Sequence, residues 1–319
     1  MNHTNERLGA LISEIRQIRG MTQNEFAKRL GTSQSAVNRI EKGGQNLSLD
    51  MLSRISDVLH KPLIAVGNQG VNLQIDGGHE LSGEITLKTS KNAAVGLLCA
   101  SLLNKGKTVF KSFPRIEEVY RIIEVLESIG VKVRWINNND LEIKRPAKLQ
   151  LDKLDAKAAR RTRSVLMMIG PLMHEASEFK IPYAGGCKLG ERTVKPHLFG
   201  LEEFGVEIVA KNKYYRVTSN PQQPEYVPLY ESGDTVTENV VMAASKAEGK
   251  TTIQFASANY MVQDVCLYLR ALGVDIEGVG AQTITINGKA GDIKKDVEYA
   301  PAEDPIEAMF FISAALTTD

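Results

Sequence analysis

The chain has 319 residues, enough for two or three domains, and its 43% hydrophobic and 24% charged residues are ordinary for a globular protein. The most apolar stretches, such as Ala93 to Leu103, are short and broken by polar residues, so no membrane span or membrane partner is expected. Met1-Asn2-His3-Thr4-Asn5-Glu6 lacks the apolar run of a signal peptide. Cys99, Cys187 and Cys266 are an odd, sparse set, which predicts a reducing, cytoplasmic setting rather than a disulfide framework. The net charge of +1 hides an asymmetry. Residues 1–68 carry nine Lys/Arg against six Asp/Glu, a net +3, which leaves −2 on the remainder and permits nucleic-acid contact at the N-terminal end.

Residues 6–19 read as an amphipathic helix, with Leu8, Leu11, Ile12, Ile15 and Ile18 at helical spacing. Thr22 followed by Glu25 is a capping box for a second helix, Gln23 to Leu30, which buries Phe26, Ala27 and Leu30 and stops at Gly31. Thr32-Ser33 opens a third helix that runs to Lys42 and ends at Gly43-Gly44. A fourth runs from Ser48 to about Leu59, with Leu49, Leu52, Ile55 and Leu59 expected to be buried.

Two short helices joined by a glycine turn inside a four-helix unit form a helix-turn-helix. Thr22 to Gly43, read continuously, resembles the phage Cro/repressor type of DNA-binding domain in apolar positions, turn and caps. The resemblance places the third helix in the major groove, with Gln34, Ser35, Asn38 and Arg39 at base edges and Gln23 near a phosphate. It implies double-stranded DNA as partner, bound as a homodimer on paired half-sites. On pattern alone, the alternative is a helical module used for protein contact.

Lys61-Pro62 ends the fourth helix, and Gly67-Asn68-Gln69-Gly70 reads as a linker. Beyond it the chain repeats itself. Leu126-Glu-Ser-Ile-Gly-Val-Lys-Val133 recurs as Leu201-Glu-Glu-Phe-Gly-Val-Glu-Ile208 and as Leu269-Arg-Ala-Leu-Gly-Val-Asp-Ile276. Gly106-Lys-Thr-Val-Phe110 recurs as Gly249-Lys-Thr-Thr-Ile253. Each unit reads as helix, strand, helix, Gly-Val strand, with a period of about 70 residues, the signature of stacked supersecondary units sharing a core. Three units over residues 91–303 predict a pseudo-threefold α/β domain, with helices inside and sheets outside or the reverse.

The middle repeat is interrupted by Pro182-Tyr-Ala-Gly-Gly-Cys-Lys-Leu-Gly-Glu-Arg-Thr-Val-Lys-Pro-His197. Glycines around Cys187, with Lys188 and Arg192 nearby, suit a thiol of lowered pKa, or simply a small buried side chain. Gly185-Gly-Cys-Lys-Leu-Gly-Glu-Arg192 resembles the catalytic loop of the UDP-N-acetylglucosamine 1-carboxyvinyltransferases, of the EPSP synthase-like enolpyruvyl transferase family. Further similar motifs follow in the family's order. They are Gly77 to Ile85 as an opening strand, Thr89-Ser-Lys-Asn-Ala-Ala94, Arg163 ahead of Gly170-Pro-Leu172, and Thr237-Glu-Asn-Val-Val-Met-Ala-Ala244.

The resemblance implies an inside-out α/β barrel and transfer of enolpyruvyl from phosphoenolpyruvate to the 3′-hydroxyl of UDP-N-acetylglucosamine, in peptidoglycan synthesis, with no cofactor and no metal. It makes Cys187 the general acid, Lys91 and Arg192 the grip on phosphoenolpyruvate, and Asn92 and Arg163 the hold on the sugar nucleotide. Alone, Lys91 reads as a surface lysine, Arg163 as part of the charge run from Arg160, and His197 as structural. Thr193, Val194, Lys195 and Pro196 fall where the family lines its uridine pocket, but the family has proline first and aspartate-leucine last. Residues 231–236, Glu-Ser-Gly-Asp-Thr-Val, also replace a smaller Ser-Val-Gly turn.

The expected organisation is thus a helix-turn-helix domain at 1–68, a linker with the first strands of a second transferase domain at 69–90, the threefold domain at 91–303, and the start of the second transferase domain at 304–319. Family members continue well beyond this point, so the resemblance implies a chain with part of an active site and an exposed apolar helix after Asp304. The competing reading is a DNA-binding regulator whose transferase-like part senses a ligand.

Overall fold

The computed structural model describes residues 3–45, 47–61, 63, 82–183 and 193–318. Two compact units are present, Met1–His79 and Glu80–Asp319.

The first unit holds α1 (His3–Ile18), α2 (Gln23–Leu30), α3 (Gln34–Glu41) and α4 (Leu49–Leu59). Thr22 and Glu25 form the reciprocal capping box, and Ser33 and Ser48 cap the next two helices through their hydroxyls. The core is Ile12, Ile15, Phe26, Leu30, Val37, Ile40, Ile55 and Leu59. Three apolar residues assigned to it from periodicity lie outside: Leu11 is 40%, Ile18 57% and Leu49 73% exposed. The buried stripe of α1 runs Leu8, Ile12, Ile15, and that of α4 runs Met51, Ile55, Leu59, so the three sit on flanks where the helices face solvent. Helices α1 and α3 meet so closely that a Cβ on Gly9 would stand 2.4 Å from the Ile40 carbonyl oxygen.

A buried ion pair locks the same two helices. Arg16 Nε meets Glu41 Oε1 at 2.5 Å, Ser13 donates to Glu41 at 3.0 Å, and Arg16 also donates to the Met21 carbonyl at 2.6 Å. Burial opposes the Glu41 charge, but hydrogen bonds from Arg16, Gln23 and Ser13 outweigh it and hold the carboxyl below its ordinary range. Its contribution to stability is therefore present above that range and lost as acid protonates it. Arg16→Ala leaves a buried carboxylate uncompensated and should cost this unit about 3 kcal/mol. Amide exchange of α1 and α3 at neutral pH measures this, and exchange rates like the wild type would contradict it.

The second unit is built from three repeats. The first contains α5 (Lys91–Ala100), β1 (Lys107–Phe110), α6 (Glu117–Ser128), β2 (Lys132–Ile136) and β3 (Asp140–Lys144). A 3-10 turn (Leu151–Lys153) and α7 (Ala156–Ala159) lead to the second repeat. It opens with a 3-10 turn (Arg163–Met168) and α8 (Ile169–Leu172), then β4 (Glu178–Pro182), α9 (Lys195–Glu202), β5 (Val206–Lys211) and β6 (Tyr214–Ser219). After β7 (Tyr226–Pro228), the third has α10 (Asp234–Lys246), β8 (Gly249–Gln254), α11 (Tyr260–Ala271), β9 (Asp275–Glu277) and β10 (Thr283–Gly288), followed by β11 (Val297–Tyr299) and α12 (Pro305–Thr318).

The helices are inside. Every residue from Ala93 to Ala100 and from Val236 to Ser245 is buried, as is all of α8. Three sheets wrap them, ordered β11-β1-β3-β2, β4-β6-β5 and β7-β8-β10-β9. The Gly-Val motif works alike in each repeat: Gly130, Gly205 and Gly273 take φ of 95°, 75° and 95° and turn the chain from helix into strand.

Three details differ from the sequence reading. Each repeat carries one strand more than expected, since β3, β6 and β10 return as hairpins after β2, β5 and β9. The first helix of the middle repeat is shortened to a 3-10 turn and one turn of α-helix. No strand forms at residues 82–85 of the expected opening strand Gly77–Ile85, whose first residues lie outside the described set. There is only an isolated bridge, Thr89 to Glu303.

Around that bridge the entry to α5 and the entry to α12 are tied together. Ser90 N donates to Ala302 O at 3.0 Å, Asp304 N to Lys88 O at 2.8 Å, and Lys88 N to the Glu307 carboxylate at 2.7 Å. Helix α12 buries none of its residues, and Ile306, Met309, Phe310, Ile312 and Leu316 are exposed.

Candidate DNA interface and candidate active site

On the first unit, Gln34, Ser35 and Arg39 are exposed along α3 and Asn38 is half-buried beside them. Gln34 Nε2 donates to Gln23 Oε1 at 2.9 Å, and Gln23 Nε2 donates to Glu41 at 2.9 Å. The buried Arg16–Glu41 pair therefore reaches the surface through two glutamines and fixes the rotamer of the outermost one. Ser35 shares a 3.0 Å hydroxyl contact with the cap Ser33. The arrangement presents amide, hydroxyl and guanidinium groups from the first turns of one helix, with the capped start of α2 alongside. Such groups read base edges and grip phosphate.

On the second unit, the first turns of the helices are hydrogen-bonded in a circle. Ser90, the cap of α5, donates to Tyr260 at the start of α11 (3.2 Å). Ser257 and Asn259, at the cap of α11, donate to Asp234, the first residue of α10 (2.5 and 3.3 Å). Thr235 contacts His197 of α9 at 3.2 Å. Arg163 donates to the carbonyl of Thr193, just before α9, at 2.6 Å. Thr162, the cap of the 3-10 turn, donates to Glu118 in the first turn of α6, with Ser164 also bound there. Thr89 donates to Ser112 O, at the approach to α6, at 2.6 Å. All these elements thus begin on one face, toward which they present the positive ends of their dipoles.

The face is unevenly charged. Glu117 and Glu118 stand in the first turn of α6 and Asp234 in that of α10, whereas α5, α11, the 3-10 turn at Arg163 and α9 have no acid there. Of the acid-free starts, α5, the 3-10 turn and α9 also carry cations, at Lys91, Arg163 and Lys195, so attraction for anions falls at those three. Lys91, exposed, and Asn92, half-buried, open α5; Arg163 opens the turn that packs on it; and Thr193, Val194, Lys195 and the buried Pro196 lead into α9. Cys187 and Arg192 lie outside the described residues.

Two residues matter more than sequence inspection indicated. Asn239, in the middle of buried α10, accepts from Gly170 N at 2.7 Å and donates to Leu166 O at 3.0 Å and to His197 Nδ1 at 3.2 Å. Its carbonyl is fixed by the Gly170 amide, so its NH₂ faces His197, whose Nδ1 must accept and whose Nε2 must donate to Thr235. His197 is buried, and burial together with the Arg163 charge lowers its pKa to about 4. The signal for Asn239 was an amide inside the apolar run Val236 to Ala244, which cannot be buried without partners.

Residues 75–319 match the EPSP synthase (3-phosphoshikimate 1-carboxyvinyltransferase) family, and residues 12–65 match the helix-turn-helix family. The chain belongs to the EPSP synthase family and carries a helix-turn-helix domain ahead of that region. It is 30% identical over 247 residues to the UDP-N-acetylglucosamine 1-carboxyvinyltransferase of Campylobacter jejuni, covering 77% of this chain and 58% of that one. It is 32% identical over 244 residues to UDP-N-acetylglucosamine 1-carboxyvinyltransferase 2 of Clostridium tetani, covering 76% and 58%. The chain thus spans under two thirds of the length of these relatives. Among solved structures, the enolpyruvyl transferase NikO from Streptomyces tendae superimposes with a TM-score of 0.63 at 20% identity, over 75% of this chain and 56% of that one. An EPSP synthase from Acinetobacter baumannii gives 0.58 at 19%, over 74% and 53%. Among the described residues no helix is long and apolar enough to cross a membrane.

The neutral state of His197 has a pH consequence. Its folded pKa lies below the ordinary 6.5, so it stabilises the fold above that value, and the contribution is lost as pH falls from about 6.5 to about 4. The thermal midpoint of the second unit should drop over that window, and His197→Gln should flatten the drop; an unchanged slope in the variant would count against the assignment.

Proposed function

We propose that the second unit is the substrate-binding part of an enolpyruvyl transferase that moves the enolpyruvyl group of phosphoenolpyruvate to the 3′-hydroxyl of UDP-N-acetylglucosamine. The reading is supported by the positions of Lys91, Asn92, Arg163 and Thr193–Pro196 at, or just before, helical starts whose first turns carry no acid: α5, the 3-10 turn at Arg163 and α9. Lys91 and Arg192 neutralise the phosphate and carboxylate of phosphoenolpyruvate, a role suited to fixed cations and helix amides. Asn92 and Arg163 hold the sugar nucleotide, and Cys187 protonates the methylene carbon. As the methylene carbon is protonated, the 3′-hydroxyl oxygen adds to C2 and gives up its proton, forming a tetrahedral ketal; loss of phosphate and of a proton from the new methyl group then restores the vinyl group. The names of the relatives support the substrate pair, and the domain limits proposed are those read from the sequence: 1–68, 69–90, 91–303 and 304–319.

The first unit binds double-stranded DNA as a homodimer in this reading, with Gln34, Ser35, Asn38 and Arg39 at base edges and Gln23 toward the backbone. A second reading, a DNA-binding regulator that senses a sugar nucleotide without turning it over, is favoured by Asp234. Its carboxylate sits at the start of α10, and Lys195 replaces the family's aspartate.

Phosphate release from phosphoenolpyruvate and UDP-N-acetylglucosamine separates the two. The transferase reading predicts release that is abolished in Cys187→Ser. Absence of release, with binding of UDP-N-acetylglucosamine that alters DNA affinity, selects the regulator. On the DNA side, Gln34→Ala should weaken binding to a selected sequence by about tenfold while leaving nonspecific binding unchanged. Equal losses on both DNAs, read by gel shift at fixed salt, would contradict base reading by α3.

A further inference from the structure

The threefold repeat is broken at one sheet edge. In the third sheet β7 lies parallel on β8, paired through Tyr226–Thr252, and in the first sheet β11 lies parallel on β1, paired through Val297–Thr108. Among the described residues the middle sheet has no such strand on β4. Each added strand comes from the stretch that follows the preceding repeat's hairpin: β7 begins at Tyr226 after β6 ends at Ser219, and β11 at Val297 after β10 ends at Gly288. The matching stretch after β3, which ends at Lys144, is Leu151–Lys153, and it forms a 3-10 turn instead.

The outer edge of β4 is consequently open. Hydrogen bonds from Tyr183 N to Lys213 O and from Ser219 N to Ser177 O show that odd-numbered residues face β6. The amides and carbonyls of Glu178 and Lys180 therefore point away from the sheet, and among the described residues they have no backbone partner there. Pro182, which has no amide to leave unsatisfied, stands at the same edge. Between this edge and the 3-10 turn is a groove of about 450 Å³, with Leu151 and Leu154 on one wall and Phe179 and Pro182 on the other. Lys180, Lys213 and Arg160 line it too, opposed by Glu178 and Asp152.

We propose that this groove is a strand-acceptor site, which binds a short extended peptide from a partner protein as a parallel strand on β4. The two strands that fill the equivalent edges define its chemistry: each is three residues long, built of valine, aromatic, proline or acidic residues. In the repeat, Lys180 takes the place of Val109, and the parallel neighbour of Val109 is Glu298. The peptide thus carries an acidic residue beside Lys180, flanked by apolar residues that reach Leu151, Leu154 and Phe179. Main-chain pairing gives the affinity and the acid sets the register. The site does not depend on the catalytic reading.

The test uses the full chain and a fluorescein-labelled peptide, Lys-Asp-Val-Glu-Tyr-Ala, copied from residues 295–300. Saturable binding by anisotropy is expected, with the Lys180 amide slowed in hydrogen exchange when peptide is bound. Lys180→Glu should weaken binding about fivefold, and a peptide with lysine in place of its glutamate should recover it. The proposal is overturned if the Lys180 amide exchanges at the same rate with and without saturating peptide, or if the charge-swapped pair gains nothing. It is also overturned if that amide is protected in the free monomer, which would mean the chain's own residues 151–153 pair with β4. Protection that rises only with protein concentration would assign the edge to a second copy and equally reject it.

Discussion

The second unit depends on one constraint: helix first turns must share a face without leaving their amides and caps unsatisfied. Side chains from neighbouring helices meet that demand. Ser90 reaches Tyr260, Ser257 and Asn259 reach Asp234, His197 joins Thr235, and Thr162 reaches Glu118. Aligned dipoles at close quarters repel one another, and acids at Glu118 and Asp234 relieve that repulsion at α6 and α10. The starts of α5, the 3-10 turn and α9 carry no acid, and there the chain places Lys91, Arg163 and Lys195. Fold stability and anion attraction are thus two results of one arrangement.

Asn239 shows how the interior supports that face. Gly170 has no side chain because a Cβ there would lie 2.2 Å from the Asn239 carbonyl oxygen, and the closeness lets its amide meet the Asn239 side chain. The amide group then fixes the His197 tautomer, and His197 holds the start of α9 against α10. A buried neutral histidine between Arg163 and Asn239 is a positioning device: it sets where the segment from Thr193 to Pro196 enters its helix. By contrast Glu238, one residue earlier on α10, is fully buried, and one of its carboxylate oxygens, Oε1, has no hydrogen-bond partner among the described residues. Burial, then the charges of Asp234 and Asp264, raise its pKa well above the ordinary carboxylate value.

Much of this was legible in the sequence, and the failures have physical causes. Capping residues are local, so Thr22–Glu25, Ser33 and Ser48 placed α2, α3 and α4 to within a residue. The Gly-Val motif is local too, and it marked three helix-to-strand turns. Burial is set by partners, so Leu49, which continues the apolar spacing of α4, ended on the solvent side. The hairpin returns β3, β6 and β10 have polar and apolar residues mixed, as strands with one face buried and the other toward solvent do, and no repeat string marked them. The loss of a strand beside β4 was invisible, because it shows only when the three sheets are compared in space.

The account's central claim is that the acid-free starts of α5, the 3-10 turn at Arg163 and α9 bind the anionic groups of the substrates. Calorimetric titration of phosphoenolpyruvate into the full chain and into Lys91→Met and Lys132→Met variants tests it most directly. Lys91 opens α5, while Lys132 is an exposed lysine on the outer sheet. The account predicts binding that weakens with salt, falls about tenfold or more in Lys91→Met, and is unchanged in Lys132→Met. Equal affinity in all three proteins, or equal loss in both variants, would contradict it.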